Sequence, residues 1–76
     1  MNLLERIELN PKVCSGKPVI KGTRIPVSVI IGRIAEGESW EKILAGYPEL
    51  RKEDIHAALH YAKAFLDHTE IEAIGP

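Results

Sequence analysis

Between residues 16 and 26 the chain carries Gly16, Pro18, Gly22 and Pro26, one backbone breaker every few positions. Each proline lacks a backbone N–H and clashes with the preceding helical turn, and glycine is a weak helix former, so no helix can cross this stretch. The residues between the breakers are Val19, Ile20, Thr23 and Ile25, followed by Val27, all β-branched. Such side chains favour extended backbone, and the pattern predicts a hairpin that reverses at Lys21-Gly22. Upstream, Ile7-Glu8-Leu9 alternates apolar and polar before Asn10-Pro11, which predicts a short strand ending in a turn.

Beyond Pro26 the period changes. Val27, Ile30, Ile31 and Ile34 share one helical face, and Gly37 stands where that helix should stop. Gly32 lies inside it at a cost of about 1 kcal/mol against alanine, which close approach of another backbone would offset. Ser39 is a favourable N-cap for a second helix carrying Trp40, Ile43, Leu44 and Tyr47, ended by Gly46 and Pro48. Glu53 and Asp54 then suit the first turn of a third helix over about Lys52–Asp67, whose apolar stripe is Ile55, Ala58, Leu59, Ala62, Phe65 and Leu66. The expected architecture is mainly α, a three-helix helix-turn-helix-like domain with a short N-terminal β-hairpin, although a plain three-helix bundle shows the same stripes. Its parts are 1–26 as hairpin and basic segment, 27–68 as the trihelical unit and 69–76 as a fraying tail.

With 76 residues, 45% of them hydrophobic, one domain is the ceiling and its core is small. Self-association, most simply a two-fold dimer, is the common remedy. The single cysteine, Cys14, cannot close an internal disulfide, and the N-terminus lacks the basic start and apolar run of an export signal. A cytoplasmic location is expected, and no apolar run approaches the roughly 20 residues that span a bilayer.

The net charge of −1 conceals a segregation. From Leu9 to Ala35 there is no acidic residue, while Lys12, Lys17, Lys21, Arg24 and Arg33 contribute +5, leaving −6 for the rest of the chain. Gathered on one face, these cations suit a polyanion; spread out, they form a solvated loop.

Other chemistry is poorly served. Ser15-Gly16-Lys17 resembles the end of a phosphate-binding loop, but Pro18 replaces the hydroxyl residue required there and removes an N–H. Cys14 as a nucleophile needs a base, and His56, His60 and His68 all lie far downstream. His56 and His60 have the i, i+4 spacing of zinc ligands, yet Ala57 follows the first histidine where zinc proteases place their general base. No enzyme and no cofactor are expected. Two readings stay open beside a small hydrolase using Cys14 or the histidine pair. One is a DNA binder using the basic segment and the start of helix three, Arg51-Lys-Glu-Asp-Ile-His56. The other is an interaction module without nucleic acid, using His56, His60 and Lys63 or the acidic Glu70 and Glu72.

The order Val13-Cys-x-Gly-Lys-Pro-Val-Ile-Lys-Gly-Thr-Arg-Ile-Pro-Val27, then Gly37-x-Ser39, Tyr47-Pro48-x-Leu50, Asp54-Ile55 and Ala57-Ala-Leu-x-Tyr-Ala62, resembles the domain of unknown function 433 family over nearly the whole chain. The resemblance implies a compact helix-turn-helix protein with an N-terminal β segment. It further implies a DNA-binding antitoxin that neutralises a ribonuclease-like toxin and represses its own promoter as a dimer. The residues expected to meet DNA are Lys17, Lys21, Arg24, Arg33, Arg51, Lys52 and His56. One position departs from the family, which commonly has Thr where this chain has Arg51. Arginine offers no acceptor, so the cap of helix three is expected to lose about 1 kcal/mol.

Overall fold

The computed structural model describes residues 3–68. The expected tail at 69–76, with Glu70 and Glu72, lies outside the described residues. A 3-10 turn over Leu3–Arg6 leads into strand β1, Ile7–Glu8, which pairs antiparallel with β2, Val19–Ile20, in the register Ile7 to Ile20 and Glu8 to Val19. Helices α1, Val27–Ala35, α2, Trp40–Gly46, and α3, Lys52–Asp67, follow.

The reversal at Lys21-Gly22 is present, but it does not join the two strands of the sheet. β2 lies between β1 on one side and the Ile25-Pro26 segment on the other, where Val19 bridges Pro26 and Ile20 N–H donates to the Ile25 carbonyl at 3.0 Å. The chain reaches β2 from β1 through residues 9–18 instead. Gly22 turns with φ +82°, the left-handed region that glycine enters without steric cost.

Proline 26 sets the entry to α1. It has no side-chain oxygen with which to cap, yet Val27 N–H finds the Pro18 carbonyl at 2.9 Å, so the residue just ahead of β2 supplies what the cap lacks. At the other end Gly37, at φ +89°, donates to the Ile34 carbonyl and Glu38 N–H donates to that of Arg33. This is the paired closure that a left-handed residue after a helix allows. Ser39 caps α2 as its type predicts, accepting from Lys42 N–H at 3.1 Å.

The core is built from few side chains. One isoleucine from each of β2, α1, α2 and α3, namely Ile20, Ile30, Ile43 and Ile55, is fully buried, and Ile25, Val27, Leu50 and Ala58 close around them. Each such isoleucine is worth about 1.5–3 kcal/mol relative to exposure. The apolar stripe expected along α3 does not stay in this core to its end. Phe65 and Leu66 are 64% and 63% exposed. They stand across an open groove from Val27, Ile31 and Gly32 of α1, so α1 lies opposite them without packing against them. The close approach expected at Gly32 is also absent, since nothing lies within 4 Å of where its Cβ would stand.

Candidate nucleic-acid interface

Two turns present the basic segment. In the first, Cys14, Ser15 and Gly16 take φ values of 50°, 57° and 81° in succession, closed by Gly16 N–H on the Val13 carbonyl and Lys17 N–H on that of Cys14. Left-handed backbone costs a non-glycine residue about 1–2 kcal/mol, so two such residues persist only where the surroundings enforce them. Asn10 contributes from upstream, its side-chain oxygen accepting Lys12 N–H at 2.9 Å. In the second turn the Thr23 hydroxyl donates to the Ile20 carbonyl at 2.7 Å and accepts Ile25 N–H at 3.0 Å. The Cys14 thiol donates to the Arg24 carbonyl at 3.3 Å and ties the two turns together. That is the observed partner of the thiol, and it is a structural one.

Lys17, Lys21 and Arg24 project from these turns and are exposed. Among the described residues none of the three forms an ion pair. Arg33 does not join them. Its guanidinium sits 3.1 Å from both Glu38 carboxylate oxygens and 5.1 Å from the centre of the Tyr47 ring. Interaction with the Tyr47 side chain first, and the Glu38 charge second, raise the Arg33 pKa further above its ordinary value, so it stays charged but already partnered.

The start of α3 is organised around Asp54. This carboxylate is only 4% exposed, and its Oδ2 accepts Arg51 N–H at 2.9 Å while its Oδ1 accepts from Arg6 Nη1 at 3.1 Å. Asp54 therefore performs the backward half of a capping box, and the Arg51 side chain, having no acceptor, plays no part in it. The departure at Arg51 is thus covered in part by a residue three positions on. Arg6 was not singled out by any sequence pattern; a lone arginine after Leu3-Leu4-Glu5 has no periodicity that points at a helix 48 residues away.

These contacts connect the basic turns to α3. Lys21 N–H donates to the Arg6 carbonyl at 2.7 Å, Arg6 holds Asp54, and Asp54 holds the first N–H of the α3 cap. Arg51 and Lys52 are exposed at that helix start, as is Glu53. His56, one turn further on, is exposed but lies edge-on to Trp40, ring centres 4.9 Å apart. It is thereby engaged in the α2–α3 contact; among the described residues no group of three potential metal ligands occurs.

The family model described as Protein of unknown function (DUF433) matches residues 7–62, nearly three quarters of the sequence. The chain belongs to the DUF433 family. An uncharacterised protein of Sinorhizobium fredii, y4eO, is 38% identical over 60 residues, which are 79% of this chain and 27% of that relative. The chain thus spans about a quarter of the length of this curated relative. A solved DUF433 member protein from Anabaena variabilis superposes with a TM-score of 0.77 at 37% identity, over 82% of this chain and 61% of that one. The DUF433 match ends at Ala62, one turn before the exposed Phe65 and Leu66. No helix among the described residues is long and apolar enough to cross a membrane.

Proposed function

We propose that this DUF433 protein binds the phosphate backbone of double-stranded DNA and acts as the antitoxin of a toxin-antitoxin pair. In this reading it works as a two-fold dimer that represses its own promoter and neutralises a ribonuclease-like toxin. Lys17, Lys21 and Arg24 provide the phosphate contacts, Arg51 and Lys52 lead α3 toward the groove in the manner of a helix-turn-helix, and no catalytic step is involved.

The observation that carries the reading is the burial of Asp54. A carboxylate in the first turn of a recognition helix opposes phosphate, and turning it inward onto Arg6 leaves Arg51 and Lys52 to set the charge there, offset only by Glu53. The same Arg6 anchors the Lys21 turn. Arg33, held by Glu38, is left out of the contact set, and His56 serves packing.

The test is binding of a labelled duplex from the chain's own promoter across a salt series. Each neutralised phosphate contributes a slope of about −0.9 to log affinity against log salt. A Lys21→Ala, Arg24→Ala double variant should flatten that slope by about 2 and leave toxin neutralisation intact. Absence of any duplex binding by the parent chain rules the DNA reading out. Failure to neutralise the product of an adjacent nuclease-like reading frame rules out the antitoxin role separately.

A further inference from the structure

The groove between α1 and α3 has a volume of about 700 Å³ and an uneven distribution of polarity. Lys17 and Ser28, both exposed, line it at the start of α1, where Val27 N–H meets the Pro18 carbonyl. Further along that helix the lining is Ile31 and Gly32, with Ala62 and Leu66 contributed by α3. Ile31 and Tyr61 also pack against the buried core, so this part of the groove is built on fixed side chains. Among the described residues no carboxylate lines the groove, Lys17 is its one charged group, and Lys17 forms no ion pair.

We infer that the groove binds a small amphipathic anion, a single-chain aliphatic carboxylate, with its head at Lys17 and its chain along Ile31 and Gly32. Charge selects the head. A lone cation beside apolar surface is complemented by one negative charge, which a carboxylate supplies, whereas a phosphate monoester brings about −1.5 to −2 and leaves an excess. Size selects the class of ligand. The volume falls in the range of about 300–1,000 Å³ usual for small-molecule sites. Ten described residues line the groove, against about 20–30 a side in a stable protein–protein interface. Gly32 leaves room for the chain, since nothing lies within 4 Å of the position a Cβ would take.

This inference goes beyond the proposed function and does not rest on DNA binding, so either can fail without the other. Isothermal titration of the full chain with sodium decanoate, kept below its micelle concentration at neutral pH, tests it. Decanoate should saturate a single site, and decyltrimethylammonium, with the same chain and a cationic head, should bind roughly tenfold more weakly. Lys17→Gln should cut that preference for the anion by about threefold. Lys21→Gln, which removes a cation outside the groove, should keep the parent's preference. Gly32→Gln puts a side chain into the groove while improving helix propensity, and should weaken decanoate binding by about tenfold. Helical circular dichroism confirms that each variant is folded; should Gly32→Gln not fold, Lys17→Gln, at an exposed position, decides alone. No saturable binding of decanoate by the parent, equal affinity for the two amphiphiles, or groove variants that bind as the parent does, overturns the inference.

Discussion

Arg6 and Asp54, 48 residues apart, meet at 3.1 Å and fix the N-terminal turn of the chain against the first turn of α3. The carboxylate is buried while the guanidinium is partly open, and Arg6 Nε is itself buried without a hydrogen-bond partner. The pair therefore acts as a locator more than as a store of stability. Asp54→Ala removes the Arg6 contact and the bond to Arg51 N–H together and should cost about 2–3 kcal/mol, discounted for the partial exposure of Arg6. Arg6→Met should cost less, about 1 kcal/mol, because Asp54 keeps its backbone donor. Urea midpoints of the two single variants and the double variant will show coupling between the sites; strict additivity would mean the pair is idle.

Two kinds of glycine should respond oppositely to alanine. At Gly22 and Gly37 the backbone has positive φ, and Gly→Ala is expected to lower stability by about 1–2 kcal/mol. At Gly32 no such demand exists and nothing obstructs a methyl group, so Gly32→Ala should raise stability by up to about 1 kcal/mol. Thermal melts of the three variants at one concentration are sufficient, and a destabilised Gly32→Ala would contradict the open space seen there.

Caps provide a third check. Ser39→Ala should cost about 1 kcal/mol through loss of the bond to Lys42 N–H. Arg51→Thr should go the other way by about 0.5–1 kcal/mol, since a threonine oxygen at an extended N-cap can accept an N–H that arginine cannot. If Arg51 also meets phosphate, the same variant will show a salt slope reduced by about 1, so that melting temperature rises while DNA affinity falls.

A fourth expectation concerns the core. Ile30→Ala and Ile43→Ala each remove a fully buried side chain and should cost about 2–5 kcal/mol. For a domain of this size that approaches the whole margin, and chemical denaturation should find the variants largely unfolded without denaturant.

Much of the architecture could be read from the residue pattern because local chemistry decided it. Pro26, Gly37, Ser39 and Pro48 set the helix limits through missing donors, positive φ and a side-chain acceptor, and the three helices begin and end where those residues require. What the pattern left out depends on distant partners. Nothing near Arg6 announces Asp54, and the stripe on α3 cannot reveal that a groove separates Phe65 from α1; Arg33 and Glu38 are only five residues apart, but that spacing lies across the end of α1 and matches no i, i+4 helical pair. The cations of the two turns were identifiable as a run without acid. Their mutual restraint by the Cys14 thiol was not, since a lone cysteine reads as packing or chemistry before it reads as a tether.

The meeting of four isoleucines, each from a different element, bears on how the molecule comes apart. Beyond them only Val19, Ala57 and Ala58 are wholly enclosed among the described residues, so β2, α1, α2 and α3 have no sub-group able to persist once one withdraws. Melting should accordingly be all-or-none, with calorimetric and van't Hoff enthalpies equal, and the slowest amide protons of all four segments should exchange at one common rate.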